Sequence, residues 1–239
     1  QLISHFGLAE DSSPQKYGIG FKELWELDPE KHKEGSILHS AGWPMDWNTW
    51  GGSFVYHLDN NQAYVGYVVA LDYKNPHLSP FDEFQRFKHH PLFRSTLEGG
   101  ERISYGARAI VKGGLQALPK LVMPGALLVG DDAGFLNYLK IKGSHTAMKS
   151  GMMAGETVYE AVKRGSGGAE ELTDYPEKFR ESWLYDELHA GRNVGPAMHK
   201  LGMFLGSAYA FLDQMFGGRL PFTRSEEHTS ELQSPDHLV

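Results

Sequence analysis

The chain is expected to fold as an α+β protein, a mostly antiparallel sheet followed by a largely helical part. Three features carry that expectation. Four strand-like segments lie within residues 17 to 73 and are joined by short turns, the spacing of hairpins and meanders rather than of parallel crossovers. An apolar segment, Ala126 to Val129, then runs directly into Gly130-Asp131. Beyond it, Ser144 to Lys163 has the pattern of a long helix, with Gly165 placed to stop it.

The elements follow in order. From Ile19, residues 17 to 27 alternate apolar and polar side chains, a half-buried strand that Asp28-Pro29 ends. Ser36 to Gly42 is a second strand. Gly51-Gly52 introduces a third, Ser53 to Leu58, and Asp59-Asn60-Asn61 turns the chain into a fourth, Ala63 to Asp72. Pro80 opens a short helix carrying Phe81, Phe84 and Phe87. Residues 102 to 110 and 126 to 129 are the next strands, separated by a loop with Pro119 and Pro124. In the helix that Ser144 is expected to cap, Ala147, Met148, Met152, Gly155, Val158 and Val162 share one face, and Gly151 and Gly155 suit close approach of another backbone. Tyr175, Phe179, Trp183 and Leu188 keep helical spacing. Leu201 to Leu212 is apolar but too short to span a bilayer; it is either a core helix or an interfacial one, with Trp183, Lys200 and Arg219 near the headgroups.

Composition narrows the chemistry. The net charge of −7 argues against nucleic acid as a partner, which calls for a basic surface. The absence of cysteine removes disulfides, thiolate metal sites and a Cys-ligated cluster from this chain. His57, His77, His89 and His90 show no metal-ligand spacing, and no nucleophile or phosphate-loop motif stands out.

The wording of three segments is more specific. They are Tyr-Gly-Ala-Arg-Ala (Tyr105 to Ala109), Gly-Asp-Asp-Ala-Gly-Phe-Leu-Asn (Gly130 to Asn137) and Lys-Ile-Lys-Gly-Ser-His-Thr-Ala-Met-Lys-Ser-Gly (Lys140 to Gly151). Together they resemble the electron transfer flavoprotein–ubiquinone oxidoreductase family over residues 15 to 222, the middle of such a protein. The resemblance implies part of a ubiquinone-binding domain at 1–98, the C-terminal part of a Rossmann-like FAD-binding domain at 99–165, and an amphipathic, membrane-associated helical part at 166–223. It also implies FAD, ubiquinone and a [4Fe–4S] cluster as redox groups, with the cluster's ligands outside this chain. The expected partners are electron transfer flavoprotein and a membrane surface, either the matrix face of the mitochondrial inner membrane or the cytoplasmic face of a bacterial plasma membrane.

Residue by residue, the resemblance places flavin contacts at Gly130, Asp131, Asn137, Lys142, Gly143, Ser144, His145 and Thr146. A helix N-terminus there offers unpaired N–H groups and partial positive charge to the anionic edge of a reduced flavin. Gly51 and Gly52 match glycines that let a quinone headgroup reach the backbone. The family's aromatic before them is a tyrosine, and here it is Trp50, so that hydroxyl is lost. Two departures stand out. No Gly-x-Gly-x-x-Gly turn precedes these segments, and cysteine is missing. Gln1 to Ile3 is accordingly read as an internal position, and the chain as a fragment inactive alone. Residues 224–239 are set apart, because Arg224 to Ser234 reads as the in-frame translation of a sequencing adapter and is expected to be non-native. Two alternatives stay open: a flavoprotein of the geranylgeranyl-reductase-like superfamily, and an inactive membrane-binding fragment.

Overall fold

The computed structural model describes residues 2–46, 49–166 and 168–220. The tail at 224–239 lies outside the described residues. The described residues divide into two compact units, one within Tyr17–Ile110 and one formed by residues 2–16 with those from 111 to 220. After a one-turn helix α1 (Leu2–His5), the first unit contributes strands β1 (Tyr17–Glu26), β2 (Ile37–Ala41), β3 (Gly51–His57) and β4 (Gln62–Ala70), helices α2 (Pro80–Lys88) and α3 (Pro91–Leu97), and strand β5 (Glu101–Val111).

The five strands form one sheet in the order β2-β3-β4-β1-β5. The expected β3–β4 hairpin is present and antiparallel, with Gly51 opposite Val69 and Ser53 opposite Tyr67. Its turn works because Asn60 and Asn61 both take positive φ, 53° and 56°, which short amide side chains tolerate. Period-2 alternation puts Ala63, Val65, Tyr67 and Val69 on one face at 0% exposure. Phe84, Phe87, Phe93 and Leu97 from α2 and α3 cover that face and complete the core. Ser79 caps α2 by accepting the Asp82 N–H at 3.3 Å, and Pro80 follows it inside the helix. On the opposite face the Phe54 ring lies across Gly66, filling the place of the missing side chain.

One carboxylate is part of this core. Glu23 is 2% exposed and accepts from Lys88 Nζ at 2.8 Å, Arg102 Nη1 at 3.4 Å and Trp25 Nε1 at 2.8 Å. Its charge is thus matched where water is excluded. β5 is hydrogen-bonded into this sheet, and the compact unit runs on to Ile110, past the position 98/99. α3 has no counterpart in the sequence reading.

The second unit is helical. A 3₁₀ turn (Leu115–Ala117) and a two-stranded ribbon, β6 (Val122–Met123) with β7 (Ala126–Leu127), lead into α4 (Gly130–Ala133) and α5 (Ser144–Lys163). Then come α6 (Asp174–Arg180), α7 (Trp183–Gly191) and α8 (Val194–Met215), the last kinked at Gly202, where φ is 70°. Leu121, Phe135, Met153, Tyr175, Phe179, Leu184 and Leu188 form its core. No helix among the described residues is long and apolar enough to cross a membrane.

Several expectations change here. The strand at 126–129 shortens to two residues, and Gly130-Asp131 opens the short helix α4. Helix α5 has the expected limits but turns the other way. Its buried face is Thr146, Ser150, Met153, Ala154, Thr157 and Ala161, whereas Met148, Met152, Val158 and Val162 are 43–69% exposed. The hydroxyls on the buried face are satisfied within the helix: Thr146 donates to Gly143 O, Ser150 to Ala147 O and Thr157 to Met153 O, each at 2.8 Å. Small side chains let α5 lie close to α4 and α6. Gly151 and Gly155 have open space beside them, so no backbone among the described residues makes the expected approach.

Candidate functional site

Two places carry the predicted site residues, one in each unit. In the sheet unit, Gly51 and Gly52 begin β3. A Cβ on Gly51 would meet Val68 O at 2.9 Å and Met45 Cγ at 3.2 Å; one on Gly52 would meet Ser40 O at 2.9 Å. Both glycines are therefore required by close strand packing, whatever else they do. Trp50 is 36% exposed, and Thr49 and Met45 beside it are buried. The same hypothetical Cβ on Gly51 lies 3.6 Å from the Tyr67 hydroxyl, a group that the sequence reading overlooked. A separate cavity of about 310 Å³ opens at the far end of β3, lined in part by Lys33, Val55, His57 and Phe93, and does not include the glycines. Burial, with the nearby His32 and Lys33, lowers the pKa of His57 there.

In the helical unit, the end of β7 and the start of α5 do come together. Gly130 takes a φ of 59°, and a Cβ on it would touch Ala147 Cβ at 3.4 Å, so α4 begins against the first turn of α5. The Gly130 N–H donates to Ser150 Oγ at 2.9 Å, and Tyr175 Oη donates to Leu128 O at 3.0 Å just before it. Burial raises the Tyr175 phenol to about 12. Ser150 and Tyr175 thus fasten this junction from the core side.

Gly143, not Ser144, is the N-cap of α5; Ser144 is its first helical residue. Gly143 provides no side-chain cap, the first turn holds no acidic residue, and the first bond of the helix runs from the Ala147 N–H to Gly143 O at 2.9 Å. The earlier N–H groups are the orphan donors of a helix start. Ser144 and Lys142 are exposed beside them, as is Asp131 on α4.

Asn137, Thr146 and His145 each have partners within the helical unit. Asn137 is 5% exposed, forms a bridge with Lys142, and donates from Nδ2 to Glu187 Oε1 at 2.8 Å. The Thr146 side chain is buried with its hydroxyl on Gly143 O. His145 Nε2 sits 2.7 Å from Glu187 Oε1, and its ring stacks on Trp183 with an interplanar angle of 6°. Lys140 completes the set by pairing with Glu187 Oε2. Partial burial on its own would raise the Glu187 pKa, but the hydrogen bonds from Lys140, His145 and Asn137 hold it down at about 2. Glu187 lies 42 residues beyond His145, and no local pattern in the sequence connects them.

The groups at the α5 start suit an anionic, hydroxyl-bearing ligand: backbone N–H groups, the Ser144 hydroxyl and the Lys142 ammonium can donate to its anionic part, and the Asp131 carboxylate can accept from its hydroxyls. His145, Asn137 and Thr146 support the loop that presents them. No group of three or more metal-ligating side chains occurs among the described residues.

Comparison with known proteins shows what the chain is similar to. Residues 17–110, the sheet unit, match the family described as ETF-QO, ubiquinone-binding. The electron transfer flavoprotein-ubiquinone oxidoreductase of Pseudomonas aeruginosa is 55% identical over 228 residues, covering 95% of this chain and 41% of that protein. The mitochondrial protein of the same name from Bos taurus is 48% identical over 231 residues, covering 93% of this chain and 37% of its own length. Among solved structures, a geranylgeranyl bacteriochlorophyll reductase-like protein from Thermoplasma acidophilum matches 92% of this chain and 51% of its own at a TM-score of 0.58 and 17% identity, a likeness of fold alone. The chain therefore spans about two fifths of the length of the relatives it matches, and over nearly all of its own length it is similar to electron transfer flavoprotein-ubiquinone oxidoreductases.

Proposed function

We propose that this chain is the quinone-binding sheet and flavin-facing helical part of an enzyme that passes electrons from electron transfer flavoprotein through a [4Fe–4S] cluster and FAD to ubiquinone. The observation that carries this reading is the coincidence of the compact unit 17–110 with the ubiquinone-binding family, inside a chain related to the oxidoreductases over nearly its whole length. The sheet unit holds the quinone at Gly51 and Gly52. The α5 start holds FAD, with Lys142, Gly143 and Ser144 toward its anionic edge and Asp131 toward its hydroxyls. Bound FAD supplies the electron transfer; this chain's residues bind it, orient it and exclude water. With no cysteine in the sequence, the cluster's ligands come from elsewhere in the longer protein.

The surface supports a membrane contact as well. Phe204, Leu205, Phe211, Leu212, Met215 and Phe216 on and after α8 are 50–74% exposed, an apolar face of the kind that lies in a lipid interface. Residues 175–193 are less suited to that role, since Tyr175, Phe179, Leu184 and Leu188 point into the core; Trp183 remains exposed. Met148, Met152 and Val162 on α5 form a second open face, which we assign to contact with another part of the longer protein.

Titration with a short-tailed ubiquinone tests the central reading. Saturable quenching of tryptophan fluorescence, with one quinone per chain, is expected because Trp50 adjoins the glycines. A folded chain that shows no saturable quenching overturns it. Vesicle flotation tests the membrane face: changing Phe204, Leu205 and Phe211 to Ser is expected to abolish it, and undiminished flotation removes α8 as the anchor.

A further inference from the structure

Tyr67 is fully buried in the middle of β4, with its ring stacked on Phe84 and Phe87 at centroid distances of 6.3 and 5.4 Å. Its hydroxyl makes no hydrogen bond among the described residues. The nearby Met45 N–H is already donated to Gly42 O at 2.9 Å. An unpaired buried hydroxyl costs stability, and burying one in a well-packed core calls for a reason. Burial, with the Glu83 charge, pushes this phenol far above its ordinary pKa, so at neutral pH it is a donor with nothing to donate to.

The direction in which it points supplies the reason. The hydroxyl reaches the edge of the space that a side chain on Gly51 would fill, 3.6 Å from the ideal Cβ position. Met45, 8% exposed, covers the same spot with Cγ 3.2 Å from that position. An unbranched thioether is the most adaptable of apolar covers, one that a flat ligand can displace without disturbing the backbone. The residue before the glycines is Trp50, which has no hydroxyl to offer.

We propose that the Tyr67 hydroxyl donates a hydrogen bond to a carbonyl oxygen of the quinone seated at Gly51 and Gly52, from the strand next to the one where the family pattern carries its tyrosine. The inference rests on the quinone-site reading above and deepens it. A donor placed there holds the headgroup in register. It also interacts more strongly as the carbonyl oxygen gains negative charge on reduction, so it favours the reduced form.

The test uses this chain and a short-tailed ubiquinone labelled with ¹³C at its carbonyls, with infrared spectra of the bound quinone. One carbonyl band is expected at lowered frequency in the unaltered chain. Tyr67→Phe removes one oxygen and keeps the ring. It is expected to return the band toward its unbonded position, weaken binding about three- to tenfold, and leave the melting temperature of the ligand-free chain unchanged or higher. A lower melting temperature would show that the hydroxyl already has a partner in the fold, and overturns the proposal. In parallel, a photoreactive azidoquinone is expected to label the peptide around Met45 to Ser53. Labelling there with an unmoved band and unchanged affinity in Tyr67→Phe overturns the role of Tyr67 and keeps the quinone site. Labelling confined to other segments, or no binding at all, overturns both.

Discussion

The sheet unit and the helical unit differ in how their exposed apolar residues are arranged around the core. In the first, Val65, Tyr67, Val69, Phe84 and Phe87 are at most 1% exposed, and two helices close the core without help. In the second, a comparable core coexists with open apolar faces on α5 and α8, where Met152, Val162, Phe204, Leu205 and Phe211 are 60–74% exposed. The first unit thus closes one continuous core, although Ile37, Phe81, Leu92 and Tyr105 outside it remain 50–78% exposed. The second presents surfaces whose burial depends on something beyond these residues: lipid for α8 and protein for α5, on the reading given above. Apolar side chains that stay in water contribute nothing to folding and leave aggregation as their default outcome.

The comparison is most easily broken in the sheet core. Phe87→Ala removes a ring that contacts Tyr67, Phe84 and Phe93 and should cost about 3–5 kcal/mol in urea unfolding, from lost transfer energy plus the cavity. A loss below ~1 kcal/mol would mean that this core is far looser than its burial implies. The Glu23 cluster ranks next. Glu23→Ala leaves Lys88 and Arg102 facing each other without their carboxylate and should cost about 3 kcal/mol. Replacing Glu23 and Lys88 together by Leu and Met should recover much of that, because the penalty comes chiefly from the stranded charge.

These two units also differ in how far the sequence revealed them. The β3–β4 hairpin was legible because alternation, flanking glycines and the Asp59-Asn60-Asn61 turn all favour the same register. Helix α5 was legible in its limits but not in its orientation. Hydrophobic periodicity selects the apolar stripe, whereas close packing against α4 and α6 favoured Thr146, Ser150 and Thr157, whose hydroxyls bond back to their own helix. The short helix α3 was hidden behind His89-His90, although Pro91 at its first turn, capped by His90, was a usable signal. In the candidate sites, the glycines and the α5 start were readable as motifs. Glu187 and Tyr67 were not, since each joins its site only through tertiary contacts.

Glu187 gives a smaller, pH-dependent effect confined to the helical unit. Its folded pKa of about 2 lies below the ordinary value of 4.5, so the stabilisation is fully present above 4.5 and is lost as pH falls from there toward 2. Glu187→Gln should cost about 1–3 kcal/mol at neutral pH and flatten this part of the acid denaturation profile. Circular dichroism melts at several pH values would show it. An unaltered acid limb in the variant would mean that Lys140, His145 and Asn137 do not hold the carboxylate as the geometry indicates.

The smallest effect on stability is also the one that defines the comparison. Met152→Ser with Val162→Ser changes two side chains that are 60% and 69% exposed, so the unfolding free energy should move by less than about 0.5 kcal/mol. Binding of a hydrophobic dye and aggregation on warming should fall, because an open apolar stripe has been broken. The two readouts separate the explanations. A stability loss of several kcal/mol would place these residues in a core that the chain, or a second copy of it, closes for itself. Unchanged stability with reduced dye binding leaves α5 as a face made for a partner, outside the core that the helical unit closes for itself.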